Sequence, residues 1–240
     1  STMLFSPTKA GFDNLVKEGF DKNILPPFNP DRPKIYHCGD VMYDNSLYFS
    51  SVADRQSNIL ETTGIKPGNY VLATVHRNNN TDDPSRLTAI FTAFDEISRE
   101  CGVMIVVPLH PRTAGMLKEN ITPAIYEKVT SNPSLKIIPP ASFLDMIALE
   151  KHAKLIMTDS GGVQKESFFF KKPCIVLRAE TEWVELVENG NNMLADASVE
   201  KIKTAWKQLE GKESYTFPPF YGDGKAAEFI CGKIASHLSR

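Results

Sequence analysis

Leu155–Ser167 reads LIMTDSGGVQKES: an apolar run ending at Asp159, a Ser-Gly-Gly turn, then an amphipathic stretch carrying Glu166. This is the grammar of a strand, a tight turn and a helix start. Backbone N–H groups at a helix start face outward, and the helix dipole adds partial positive charge there, so the turn suits an anion. Gly161 and Gly162 lack Cβ atoms and let a diphosphate approach the backbone. Glu166 lies four residues beyond Gly162, on the same helix face, where a carboxylate can accept two hydrogen bonds from vicinal ribose hydroxyls. The same residues read equally well as a plain strand–helix turn with Ser160 as its cap.

Working outward, five further runs resemble Leu155–Thr158: Tyr70–Val75, Val103–Pro108, Leu135–Pro139, Cys174–Leu177 and Asn192–Ala195. Unbroken apolar runs mark strands covered on both faces, as in a parallel sheet. Between the first two, Leu87, Ile90, Phe91, Phe94 and Ile97 recur at helical spacing behind the start signal Asp83-Pro84. The expectation is an α/β fold with a doubly wound, Rossmann-like parallel sheet. Ligands of such sheets sit beyond the carboxyl ends of the strands, which directs attention to the residues that follow each run.

Those residues are chemically capable. His76-Arg77 follows the first run and suits a phosphate or a departing oxygen, although the polar residues Asn78–Thr81 also suit an exposed loop. His110-Pro111-Arg112 follows the second and reads at least as well as a Pro-initiated helix. Arg178, Thr181 and Glu182 follow the fifth, offering a guanidinium fork and a polar helix start. Phe168–Phe170 reads as core packing, and Tyr221–Gly224 as ordinary turn grammar.

The rest of the sequence sets bounds. In 240 residues the formal net charge is -2, which supplies no field for nucleic acid or an anionic membrane surface. The four cysteines are widely spaced without a CxxC pair, three of them in apolar segments expected to be buried, so no metal site and no disulfide is expected. No run reaches transmembrane length and no signal segment opens the sequence, which together suggest a cytoplasmic protein without a membrane partner.

Residues 1–40 read as a strand end at Phe5–Thr8, a helix with Phe12, Leu15 and Val16 ending at Gly19, a stretch with four prolines over Leu25–Pro33, and a strand near Lys34–Asp40. They are expected to be the tail of a preceding Rossmann-like domain plus a linker. Residues 41–240, including a C-terminal helix, are expected to be one nucleotide-binding domain, with a helical pattern over Asn45–Leu60. The sequence opens on Ser1, close to a structured run, and a piece of a larger chain is expected.

Taken together, Thr74–Arg77 (TVHR), Leu109–Thr113 (LHPRT), Thr158–Glu166 (TDSGGVQKE), Lys172–Arg178 (KPCIVLR), Thr181-Glu182 and Tyr221–Gly224 (YGDG) resemble the non-hydrolysing UDP-N-acetylglucosamine 2-epimerases. The resemblance spans nearly the whole sequence in the family's order. It implies the carboxyl-terminal half of a GT-B type two-domain fold, without a cofactor, in a homodimeric enzyme acting on a UDP-sugar. The implied chemistry is anti-elimination of UDP followed by re-addition with inversion at C2.

By the same resemblance, Ser160, Gly161 and Gly162 would hold the diphosphate and Glu166 the ribose. His76 would act at the leaving-group side, Arg77, Arg178, Thr181 and Glu182 would line the cleft, and Phe143 in the Pro139–Met146 loop would face the uracil. The carboxylates that move the C2 proton belong, by that resemblance, to the amino-terminal domain. Two positions depart from the common pattern: Asn79 stands where many members have Glu, and Trp183 where many have Arg. The Thr-Glu-Trp variant resembles relatives acting on other UDP-sugars. A GT-B glycosyltransferase and a non-catalytic nucleotide-sensing module are the other functions these motifs allow.

Overall fold

The computed structural model describes residues 1–239 and divides into two compact units, Ser1–Phe49 with Pro218–Arg240, and Ser50–Phe217. In the first unit, β1 (Met3–Ser6) pairs in parallel with β2 (Lys34–His37). Thr8 caps the helix Lys9–Lys17, and Asp40 accepts the Met42 N–H at the head of the helix Val41–Gln56.

The helix Ala226–Leu238 belongs to this first unit. The units therefore differ from the expected division at residue 40, which grouped that helix with the downstream domain. The reason is long-range packing. Phe229 meets Tyr36 edge-on at 5.9 Å, and His237 stacks on Phe28 at 5.9 Å. The Ala227 N–H donates to Asp44 at 2.7 Å. Tyr221–Gly224 also does more than turn the chain. The Asp40 N–H donates to the Tyr221 carbonyl at 3.0 Å, and a Cβ added at Gly39 (φ +81°) would lie 2.9 Å from that oxygen. Only glycine allows that approach in that backbone conformation.

The second unit holds six strands: β3 (Tyr70–Thr74), β4 (Met104–Pro108), β5 (Leu135–Ile138), β6 (Leu155–Thr158), β7 (Cys174–Val176) and β8 (Asn192–Leu194). All pair in parallel in the order β5-β4-β3-β6-β7-β8. Each expected run forms its strand, with ends differing by one residue or none. Alternate residues serve opposite faces: Val71 and Ala73 pack with the helix Pro84–Cys101, whereas Tyr70 and Leu72 pack with Leu149 and Ile156. Both faces of the central strands are thus buried, which is why β3, β4 and β6 are apolar but for Thr74 and Thr158 at their carboxyl ends. The chain winds outward from β3 through β4 to β5, then restarts at β6 on β3's other side. That reversal makes the carboxyl ends of β3 and β6 the switch point where open α/β sheets bind ligands.

Candidate nucleotide site

At the switch point, Asp159 directly follows β6 and has no exposed surface. Its carboxylate accepts the His76 N–H at 3.0 and 3.1 Å, the Arg77 N–H at 3.0 Å and the Asn80 amide at 3.0 Å. A buried charge without donors would be costly, so these bonds dictate how the loop after β3 leaves the sheet. Thr74 and Thr158, paired in register across β3 and β6, add a 2.6 Å hydroxyl contact just inside.

The sequence allowed an exposed polar loop over Asn78–Thr81; these residues instead form a short helix, in which Asn80 and Thr81 are buried while His76–Asn79 are exposed. Asn80 also donates to the Leu177 carbonyl and accepts from Arg86, which pairs with Asp196 beyond β8. The loop after β3 is thereby tied to the ends of β6, β7 and β8.

Ser160 caps the helix Gly161–Phe169, its hydroxyl accepting the Val163 N–H at 3.4 Å. The two readings of the turn are therefore compatible. The cap serves Val163, and the Gln164 N–H bonds the Ser160 carbonyl, so the N–H groups of Gly161 and Gly162 stand ahead of the helix ladder.

Across from Gly161, the Arg178 guanidinium grips Glu182 with two 2.8 Å bonds, and Arg77 lies 4.0 Å from the same carboxylate. A Cβ placed on Gly161 would stand 3.6 Å from Trp183, 3.7 Å from Glu182 and 3.9 Å from Arg178. The turn and the Arg178–Glu182 pair thus share one surface. Arg178, and secondarily Arg77, hold the Glu182 carboxyl down at about 2. Glu180 and Asp159 also act on Arg178, so the charges beside the helix start are of mixed sign. A cleft of about 680 Å³ opens next to them, its lining including Arg77, Arg86 and Arg178 on one side of the charge balance and Asp82, Asp83, Glu180 and Asp196 on the other.

Thr181 hydrogen-bonds the buried Gln164 at 2.6 Å, joining the loop after β7 to the helix. Glu166 sits half-buried in that helix, its pKa raised by burial against the opposing pull of Lys165. Phe143 is not brought into this group. It begins the helix Phe143–His152 beyond β5, two strands from β3, and the residue is 57% exposed; the expected loop over Pro139–Met146 is thus half helix. His110 is the N-cap of a Pro-initiated helix, and Arg112 braces the loop after β3 through Asn78 and Asp82. Of the cysteines only Cys174 is buried, whereas three were expected to be.

Sequence reasoning missed Asp159, Asn80, Gln164 and the Trp183 indole. Asp159 carried a signal, since an acidic residue closing a buried apolar run must find donors. The others depend on contacts distant in sequence.

A doubly wound sheet with an open helix start at its switch point is the build of a nucleotide-binding α/β domain. Residues 1–235 match the family model described as UDP-N-acetylglucosamine 2-epimerase. The chain therefore belongs to that family. It is 38% identical over 240 residues to a UDP-2,3-diacetamido-2,3-dideoxy-D-glucuronate 2-epimerase of Pseudomonas aeruginosa, covering 100% of this chain and 60% of that protein. It is also 38% identical over 229 residues to a UDP-N-acetylglucosamine 2-epimerase homolog of Methanococcus maripaludis, covering 95% of this chain and 58% of the relative. The crystal structure of Methanocaldococcus jannaschii UDP-GlcNAc 2-epimerase in complex with UDP-GlcNAc and UDP superposes with a TM-score of 0.82 at 35% identity, over 98% of this chain and 61% of that one. The chain accordingly has the fold of the corresponding part of these GT-B type epimerases, of which it covers 60–62%. The chain spans about 60% of the length of the curated relatives it matches.

Proposed function

We propose that this chain is the nucleotide-binding part of an enzyme that inverts C2 of a UDP-linked 2-acetamido sugar, converting UDP-GlcNAc to UDP-ManNAc. The observation that carries the reading is the meeting, at one switch point, of the open Gly161–Gly162 helix start with the His76-Arg77 loop through Asp159. In this reading the N–H groups of Gly161 and Gly162 and the Ser160 hydroxyl hold the diphosphate, and Glu166 accepts the ribose hydroxyls. Phe143 offers its exposed ring to the uracil. His76 acts at the departing diphosphate, and Arg77, Arg178, Thr181 and Glu182 line the cleft.

Anti-elimination puts growing negative charge on the leaving UDP. Fixed N–H dipoles and the Arg77 and Arg178 guanidiniums aimed at that charge stabilise it more in the transition state than in the bound substrate, which speeds the reaction rather than only tightening binding. The carboxylates that move the C2 proton are contributed by other residues of the whole enzyme, so residues 1–240 alone bind nucleotide weakly and do not epimerise. A cytoplasmic homodimer is the setting this reading carries.

A second reading keeps the reaction and changes the sugar to a UDP-2,3-diacetamido uronate. It is favoured by the 38% identity across the whole chain to the Pseudomonas aeruginosa enzyme. The test incubates the full-length protein with each sugar nucleotide in D2O and follows C2 by NMR. Inversion with deuterium at C2, and slow release of UDP and an unsaturated sugar, supports the reading, and the better substrate selects the sugar. Transfer to an acceptor without inversion selects a glycosyltransferase. Binding without turnover selects a nucleotide-sensing module.

A further inference from the structure

Trp183 donates its indole N–H to the Gly161 carbonyl at 2.8 Å. Its own backbone N–H bonds Thr181 at 3.2 Å, and Thr181 in turn reaches the buried Gln164 at 2.6 Å. The Lys165 ammonium lies 4.5 Å from the centre of the Trp183 ring. Lys165 is buried and stands one turn beyond Gly161 on the same helix face. One side chain thus touches both the first and second turns of the helix that starts at the switch point.

The Gly161 carbonyl and the Gly162 N–H belong to a single peptide unit. That unit is planar and trans, so its C=O and N–H point in opposite directions. Fixing the oxygen therefore aims the N–H. Between two glycines no Cβ restrains the plane, and rotation about its flanking bonds is freer than elsewhere. A carbonyl has two lone pairs, so the indole can hold this oxygen while the helix ladder uses it as well.

We propose that Trp183 is a positioning residue for diphosphate binding: it pins the Gly161–Gly162 peptide so that the Gly162 N–H faces the anion, and it holds the Lys165 ammonium within one turn of that point. The proposal rests on the UDP reading of the site. Trp183 does not touch the reacting atoms; it acts through Gly162 and Lys165.

Calorimetric titration of the full-length protein with UDP and with uridine, which lacks the diphosphate, tests it. Trp183→Phe keeps an aromatic face for Lys165 and removes only the indole donor, and it is expected to weaken UDP about three- to tenfold, the range of one neutral hydrogen bond. Uridine affinity is expected to stay within about twofold. Trp183→Leu removes the ring as well and should lower the UDP-to-uridine affinity ratio further. Unchanged UDP affinity in Trp183→Phe overturns the proposal. So does a parallel fall of UDP and uridine, which marks a general structural role. If the unsubstituted protein binds neither compound, the UDP reading itself fails and takes this one with it, an outcome visible before any variant is compared.

Discussion

Asp159 grips the backbone of His76, its two carboxylate oxygens 3.0 and 3.1 Å from one N–H group. The pair joins the carboxyl ends of β6 and β3 across 83 residues of sequence. Asp159→Asn keeps the shape but replaces an acceptor oxygen with a donor, facing the N–H groups of His76, Arg77 and Asn80. We expect a loss of about 2–4 kcal/mol in stability, since several charge-assisted bonds weaken and a buried donor is left unpaired. Urea unfolding measures it, and a change below about 1 kcal/mol would show that the clamp matters little to folding.

Gly161→Ala separates folding from binding. The added methyl would sit 3.6–3.9 Å from Trp183, Glu182 and Arg178, which is ordinary contact. Replacing glycine in the first helical turn also reduces the freedom of the unfolded chain, so stability should hold or rise by up to about 1 kcal/mol. The methyl nevertheless stands on the surface assigned to the diphosphate, and UDP affinity should fall. An undiminished affinity, with the melting temperature retained, would move the diphosphate elsewhere.

Glu166→Ala tests the ribose contact. Its loss is expected to weaken UDP by about 1–3 kcal/mol. The same substitution should barely alter binding of inorganic diphosphate, which carries no ribose. Equal losses for both ligands would point to a change in the helix rather than a missing ribose bond.

Glu150 supplies a pH dependence of stability. It lies beneath the same helix, 2% exposed, with its Oε2 atom buried and without a partner. Burial first, and the neighbouring Glu166 charge second, raise its pKa well above the ordinary carboxyl range. Its charge also reaches Tyr70 and Cys174, both pushed upward chiefly by their own burial and further by Glu150. Between the unfolded and folded pKa values, the folded protein binds more protons than the unfolded chain. Its stability therefore declines as pH rises through that window, by up to about 1.4 kcal/mol per pH unit for one proton. Glu150→Gln cannot ionise, so its stability relative to the unsubstituted protein should grow as pH rises above the ordinary carboxyl range. Unfolding free energies measured across that range would contradict the assignment if the two curves ran parallel.

Much of the site was legible in advance because its signals are local. Ser160 caps its helix, Arg178 and Glu182 stand together, and His76-Arg77 leaves the sheet beside the Ser-Gly-Gly turn. The helix start at Phe143 did carry a local signal that the loop reading passed over: Ser142 and Asp145 form an S-x-x-D cap ahead of an apolar run. The buried half of Asn78–Thr81, by contrast, was hidden. Asn80 is as polar as its exposed neighbours, and only its partners Asp159, Leu177 and Arg86 explain why it is inside.

The amino-acid sequence alone determined the six parallel strands, the helices between them and the glycine turn after β6. Those features depend on apolar runs, capping residues and turn residues, all set within a few positions. Tertiary structure alone decided that β3 lies beside β6, that Asp159 binds the loop after β3, and that the helix Ala226–Leu238 packs with residues 1–49. Strand order and helix docking follow from which buried faces fit together across scores of residues, and no local pattern encodes that fit.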